Sequence, residues 1–329
     1  MPLQPIWQDL PFEFKRNVVK KLDCKSIISL QKCSKSDQNV VQSVPFFINS
    51  ILLTISPDDV DRNIRSAKSE LMIIEKPLSN SLYWKTDDHD VIIDTLKYLI
   101  MNPRANIEEM ILNTKKNPAE FMKLILGIIN NLKFQVVRLY WANSGKISKT
   151  TKEREDCLKF FNSFDTVKLK KLELKIPQKR LMKELMKTDQ LKSAKQIFLN
   201  SQIENDQLNN VLHAKELRVQ LAKLPAEDLK KLIDAYLHKE HGSFFKITTS
   251  VDQIDQVALA EMFKTLPNNS SLLTHHFYEQ GIMKHRFDIG DHTAEDGEAL
   301  ILYLKIDRLS VIGAVCRVDH IHEDSRSIY

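Results

Sequence analysis

Apolar positions recur at helical spacing in the first 45 residues of the chain. Leu10 and Pro11 open the first predicted helix, because proline suits the start of a helix. Asp23 can cap a second helix, and Pro45 ends a third. The apolar positions with this spacing are Phe14, Val18, Val19 and Leu22, then Ile27, Leu30 and Cys33, then Val40, Val41 and Val44. We predict three short helices that share one apolar core.

The residues that follow alternate between apolar and polar runs. Phe46–Ile55 is rich in β-branched residues and predicts a buried strand, and Ser56–Asp59 predicts a turn. Leu71–Ile74 predicts another short strand, whereas the polar stretch Ser79–Asp90 predicts an exposed loop. We interpret residues 46–90 as a connecting segment that begins a second domain.

Beyond Asp90, a helical run followed by a short strand recurs at intervals of about 20 to 35 residues. Leucine-rich-repeat solenoids use roughly 20–29 residues for each strand and helix, and segments such as LKKLELKI have the L-x-L character of their strands. The predicted helix and strand pairs are Val91–Met101 with Glu109–Asn113, Pro118–Leu132 with Gln135–Trp141, Glu153–Phe164 with Val167–Ile176, Lys179–Met186 with Ala194–Asn200, Gln207–Leu212 with Glu216–Leu221, and Ala226–His238 with Ser243–Thr249.

This pattern predicts an α/β fold in which residues 91–270 form an irregular leucine-rich-repeat-like β-α solenoid. A compact α/β domain with one parallel sheet is the alternative. Residues 271–329 are predicted to form a strand-rich cap that ends in a polar tail from His320. The predicted strands of the cap are Phe287–Ile289, Leu300–Ile306 and Ala314–Val318, with turns at Gly290–Asp291 and Glu295–Gly297.

Composition excludes several classes of function. The 329 residues are 43% hydrophobic and 28% charged, which is ordinary for a folded protein. The chain has only 7 glycines and no phosphate-binding glycine loop, which argues against a nucleotide-dependent enzyme. A net charge of +5 is too small to indicate nucleic acid as the partner. A secretory signal and a membrane-length apolar run are absent, so we predict a cytoplasmic or nuclear protein without membrane contact.

We predict no catalytic site, no metal site and no cofactor. The four cysteines form no C-x-x-C pair, and the histidines have no metal-ligand spacing. Cys33 and Cys316 lie in apolar periodic segments, which predicts that they pack in the core. The lysines between Lys168 and Lys195 could bind an acidic target or RNA, although a solvated strand and helix face is the favoured interpretation.

The N-terminal stretch resembles an F-box. The resemblance rests on Leu10-Pro11-x-Glu13, on Val18-Val19-x-x-Leu22-Asp23 and on Leu30-x-x-Cys33-Ser34-Lys35. Trp7 and the Cys33-Ser34-Lys35 ending resemble the nematode branch of the family. It implies binding to the Skp-family adaptor of a cullin–RING ubiquitin ligase, with residues 1–45 as the F-box. The adaptor-binding residues that we predict are Leu10, Pro11, Glu13, Val18, Val19, Leu22, Ile27, Leu30 and Cys33.

The later part of the chain resembles the FTH-type domain of nematode F-box proteins. The resemblance rests on Leu191–Ile197, on Glu227–Leu237 with Phe244–Thr248, and on Ala314–Val318. It implies a substrate receptor whose protein target is unknown. A non-catalytic scaffold and a basic RNA-binding protein are the alternatives.

Strand alternation predicts that Leu172, Leu174, Leu199, Leu217 and Val219 point into the core. The side chains between such buried positions face one open side of the sheet, and this is where we expect the target to bind. Phe198 is singled out, because an aromatic side chain on a polar face has no role in folding there. Burial of Phe198 in the core is the equally weighted alternative. The target-binding residues that we predict are Arg138, Tyr140, Lys175, Phe198, Arg218 and Lys246.

Overall fold

The structure is a computed structural model in which the chain divides into two compact units, residues 1–171 and 172–329. It has a mixed α/β fold, with helices at the N-terminus followed by strands that alternate with helices. The described residues are 6–56, 68–75, 83–102, 104–114, 125–127, 133–144, 151–250, 254–265, 282–293 and 299–317. The predicted turn at Pro57–Asp59, most of helix Pro118–Leu132, the turn at Glu295–Gly297 and the tail from His320 lie outside them.

The first unit begins with four helices, one more than predicted. They are α1 (Ile6–Asp9), α2 (Phe12–Val19), α3 (Cys24–Gln31) and α4 (Lys35–Gln42). The cap on α3 is confirmed, because Asp23 accepts a hydrogen bond from the Ser26 amide at 2.7 Å. Ser34 caps α4 in the same way, and Pro11 directly precedes α2.

The helices pack around a small apolar core and contact the rest of the first unit. Lys32 Nζ forms an ion pair with Asp94 at 2.7 Å, and the Arg104 side chain donates to the carbonyl of Ser43. The buried apolar residues of the helices and of the turn that follows them are Val19, Cys24, Ile27, Ile28, Val40, Val41 and Val44. Phe14 is 54% exposed, so its prediction as a core residue is wrong.

The first unit continues with a sheet of five described strands in the order β3-β2-β1-β4-β5. β1 pairs antiparallel with β2 and parallel with β4, and β4 pairs parallel with β5. The elements are β1 (Phe46–Ser56), β2 (Lys68–Glu75), β3 (Tyr83–Thr86), α5 (His89–Met101), β4 (Ala105–Thr114), β5 (Val136–Asn143) and α6 (Thr151–Asn162). An aromatic cluster stabilises α6 against the sheet, with Trp141 lying 6.0 Å from Phe160 between ring centroids.

The predicted loop at Ser79–Asp90 is wrong where the structure describes it. Residues 83–86 form strand β3, and helix α5 begins at His89. The physical reason is cross-strand pairing, because Trp84 lies opposite Ile73 and Tyr83 lies opposite Ile74 of β2.

The second unit is built on seven described strands in the order β6-β7-β8-β9-β12-β11-β10. β7, β8 and β9 are parallel, whereas β9, β12, β11 and β10 pair antiparallel. The elements are β6 (Lys171–Lys175), α7 (Lys179–Leu185), α8 (Asp189–Ser193), β7 (Gln196–Ile203), a 3₁₀ helix (Asn205–Asn210), β8 (Glu216–Leu221), α9 (Ala226–Tyr236), β9 (Phe244–Thr249), α10 (Gln256–Thr265), β10 (Met283–Thr293), β11 (Ala299–Ile306) and β12 (Ser310–Arg317).

Alternate residues of these strands form the core of the second unit. The predicted inward residues Leu172, Leu174, Leu199, Leu217 and Val219 are all buried. Tyr236 of α9 packs 4.8 Å from the Phe245 ring and donates a hydrogen bond to the Ala214 carbonyl at 2.9 Å. Helix α9 therefore covers this face of the sheet.

Two details of the C-terminal strands differ from the predictions. Gly290–Asp291 does not form a turn, because both residues lie inside β10, where the pairing with β11 shifts register between Ile289 and Thr293. Cys33 is exposed and Cys316 is half-buried, so the predicted core packing of these two cysteines is wrong. Buried cysteines occur instead at Cys24 and Cys157.

Candidate partner-binding surfaces

A hydrogen-bond network fixes the one-turn helix α1 on the helices that follow. Trp7 Nε1 donates to Asp37 Oδ1 at 2.7 Å, and Ser34 Oγ donates to Asp37 Oδ2 at 2.7 Å. The Trp7 hydrogen bond lowers the pKa of the Asp37 carboxyl. Lys15 Nζ donates to the Gln8 carbonyl at 3.0 Å and lies 5.7 Å from the Trp7 ring centroid. Sequence reasoning recognised Trp7 but not its partner on α4.

The predicted adaptor-binding residues divide into two groups. Val19 and Ile27 are buried, so they support the helices from inside. Glu13 is exposed, and both its carboxylate oxygens accept from Arg16 Nη1, at 3.0 and 3.1 Å. The accessible members are Leu10, Val18, Leu22 and Leu30, which are half-buried, and Pro11, Glu13 and Cys33, which are exposed.

Two exposed aromatic residues extend this surface beyond the predicted set. Phe12 is 48% exposed and Phe14 is 54% exposed, and both lie on α2 directly after Pro11. Exposed large apolar side chains commonly mark a protein interface, and Phe14 shares its helix face with Val18, four residues further on. Sequence reasoning assigned Phe14 to the core, because helical spacing shows that residues share a face but not what covers that face. We call Leu10, Pro11, Phe12, Phe14 and Val18 the α2 surface.

Two of the predicted target-binding residues, Arg138 and Tyr140, lie in the first unit, two positions apart on β5. Arg138 is exposed, and its Nη2 lies 3.1 Å from Glu108 Oε1 of β4 in an ion pair. Tyr140 is half-buried beside Ile111, its partner in the parallel register. Part of the charge and hydrogen-bonding capacity of Arg138 is therefore used within the protein.

In the second unit, the structure brings three of the predicted residues into one row. Phe198, Arg218 and Lys246 are register partners on β7, β8 and β9. Phe198 is only 7% exposed, because the Arg218 guanidinium carbon lies 4.6 Å from its ring centroid. Phe198 is therefore buried, as in the equally weighted alternative, although it lies on the face that carries Arg218 and Lys246. Lys175 is exposed at the end of β6.

The parts of the chain that the structure describes contain neither a candidate metal site nor a helix that could span a membrane. In these ranges no group of three or more His, Cys, Asp or Glu side chains is placed to hold a metal ion. Among the described helices, none is both long and apolar enough to span a membrane.

Comparison with family models identifies two domains. Residues 7–49 match the F-box domain, and residues 140–267 match the FTH domain. The chain therefore carries an F-box domain followed by an FTH domain, which confirms the two domains inferred from the sequence. The likeness to nematode proteins, and the part of it that rested on Ala314–Val318, stay predictions. F-box domains typically bind a Skp-family adaptor in SCF complexes and are generally non-catalytic. No curated protein and no solved structure matches the chain.

Proposed function

We propose that this protein is the substrate receptor of an SCF-type cullin–RING ubiquitin ligase. The N-terminal helices bind the Skp-family adaptor, which links the protein to the cullin, and the later part of the chain holds a protein target for ubiquitination. The protein itself needs no catalytic residue or cofactor for this role. It acts in the cytoplasm or the nucleus.

The observation that carries this proposal is the α2 surface. Phe12 and Phe14 are about half exposed at 48% and 54%, and they lie within the segment that matches the F-box domain. Complete burial of a phenylalanine side chain contributes about 1.5–3 kcal/mol, so leaving each of these two about half exposed sacrifices roughly half of that free energy. A partner that covers them recovers this free energy.

The repeated strands of the FTH region support the second half of the proposal. β7, β8 and β9 are parallel and joined by helical connections, as in an irregular leucine-rich-repeat-like solenoid. Along β8 and β9 buried residues alternate with less buried ones, which supports a sheet with one side turned to the core and the other to a target.

Co-purification of the full-length protein with the Skp-family adaptor tests the proposal. We expect Leu10→Ala combined with Pro11→Ala to abolish adaptor binding without lowering the melting temperature by more than a few degrees. The matched control is Ser36→Ala combined with Asn39→Ala, two exposed positions on α4, which retains binding. If the wild-type protein binds no adaptor, or the Leu10 and Pro11 variant binds it normally, the proposed function is wrong.

A further inference from the structure

Four basic residues form a row across one face of the sheet in the second unit. Arg218 is the register partner of Lys246, and Lys246 is the partner of Ile312 on β12. Ile312 lies opposite Lys305 on β11, which lies opposite Lys284 on β10. Register partners project to the same face of a sheet. We call Arg218, Lys246, Lys305 and Lys284 the basic row.

Helices α9 and α10 lie on the other face of this sheet. Tyr236 of α9 packs on Phe245, whose side chain points away from that of its neighbour Lys246. Phe263 of α10 lies 3.8 Å from the His285 ring between centroids, and His285 is buried beside the half-buried Lys284. Arg218 and Lys246 are exposed, and Lys305 and Lys284 are half-buried.

The positive charges of the row are not balanced by carboxylates of the described chain. The salt bridges of the described residues include none to Arg218, Lys246, Lys284 or Lys305. Like charges directly opposite each other on neighbouring strands destabilise a sheet, and the row contains two such pairs. Two acidic side chains on this face are already engaged, since Glu216 accepts from Gln196 Nε2 at 2.6 Å and Asp288 pairs with Arg286.

Arg218 is the best-positioned member of the row. Its guanidinium carbon lies 4.6 Å from the Phe198 ring centroid and 5.2 Å from the Phe244 ring centroid. Stacking on two aromatic rings restricts the guanidinium before any partner arrives. Because the residue is still exposed, its N–H groups remain available for a two-pronged contact with a carboxylate.

We propose that the basic row binds an acidic segment of a protein partner. The row crosses five strands and is about 19 Å long at the usual strand spacing. An extended peptide of about six residues covers that length. This inference rests on the proposed function, in which the partner is the target for ubiquitination.

The aromatic residues favour an acidic protein segment over nucleic acid. Single-stranded nucleic acid is bound by aromatic rings that are free to stack on bases. On this face, Arg218 already covers the Phe198 ring and lies over Phe244. The row therefore offers charge without a free stacking platform on β7, β8 or β9.

Fluorescence anisotropy on the full-length protein tests the proposal. The probes are a labelled peptide of alternating Glu and Ser, the same peptide with Gln in place of Glu, and a labelled single-stranded oligonucleotide of similar length. We expect the Glu peptide to bind in a salt-dependent manner and the Gln peptide not to bind. Arg218→Ala with Lys246→Ala, and separately Lys284→Ala with Lys305→Ala, are each expected to weaken binding by about tenfold or more.

A matched control removes the same number of charges elsewhere. Lys179→Ala with Lys230→Ala changes two exposed lysines on helices of the same unit and leaves peptide affinity unchanged. Equal loss in this control, normal binding by both row variants, or tighter binding of the oligonucleotide at the row would each overturn the proposal. Adaptor co-purification of the wild-type protein separates the two ideas, because its failure refutes the proposed function, whereas unchanged peptide binding in the row variants refutes only the role of the basic row.

Discussion

At the scale of single residues, the geometry of the fold depends on a few close contacts that cannot be predicted from the sequence. Gly313 of β12 is buried beneath the Phe245 ring, and a Cβ atom there would overlap that ring and approach Leu304 Cδ2 to 2.9 Å. Phe245 is itself fully buried between the sheet and Tyr236, so it has little room to move. The glycine is needed for space rather than for backbone freedom.

We therefore expect Gly313→Ala to lower the free energy of unfolding by about 1–3 kcal/mol, which is the usual effect of overpacking. Chemical denaturation followed by circular dichroism measures the change. Gly127→Ala is the matched control, because a Cβ there meets nothing within 4 Å, and its stability should be unchanged or slightly higher. Equal effects at the two positions would contradict the close packing at Gly313.

Asp37 provides the residue-scale prediction for the N-terminal helices. Its carboxylate accepts from Trp7 Nε1 and Ser34 Oγ, each at 2.7 Å, and the Trp7 hydrogen bond lowers its pKa. A lowered pKa in the folded state means that the ionised Asp37 carboxylate stabilises the folded protein, and this stabilisation is fully present above the ordinary pKa of the carboxyl. The stabilisation is lost as the pH falls through the folded value.

Asp37→Asn should consequently destabilise the helices by about 1 kcal/mol near neutral pH. The difference from the wild type should begin to shrink below pH about 4, the ordinary pKa of an aspartate, and should vanish below the lowered pKa of the folded carboxyl. Thermal unfolding at several pH values measures both effects, with Asp9→Asn, an exposed change on α1, as the control. A difference that stays constant down to pH about 2 would show that the charge of Asp37 is not responsible.

At the scale of elements, alternation along the strands was the most informative feature of the sequence. The L-x-L pattern correctly predicted that Leu172 and Leu174 are buried, because a side chain two positions along a strand returns to the same face. Helix α10 and strand β3 were missed, since neither has a strong apolar period. The register between strands was not predictable at all, so the row that joins Arg218 to Lys284 emerged only from the structure.

Leu174→Asp tests the strand assignment of β6. Leu174 is 0% exposed, so an aspartate there would bury a charge without a partner and should prevent cooperative folding of the second unit. Lys175→Asp on the same strand is the control, because Lys175 is exposed, and it should melt like the wild type. Circular dichroism melts measure both variants, and a Leu174→Asp protein with a normal melt would mean that the register is wrong.

At the scale of the whole molecule, the α2 surface and the basic row lie in different units of the chain. The α2 surface is apolar, whereas the basic row is charged, so their partners differ in chemistry. A receptor that links an adaptor to a target requires this independence, because each partner must bind whether or not the other is present.

The last prediction is that the two surfaces can be inactivated separately. Leu10→Ala with Pro11→Ala should abolish adaptor binding and leave the affinity for the Glu and Ser peptide within about twofold of the wild type, because independent sites that share no partner act additively. Arg218→Ala with Lys246→Ala should give the opposite result, with normal adaptor binding and weakened peptide binding. Combining all four changes should add the two losses without a further effect. Adaptor co-purification and peptide anisotropy on the same three preparations measure this, and loss of both activities in either double variant would show that the two surfaces are coupled.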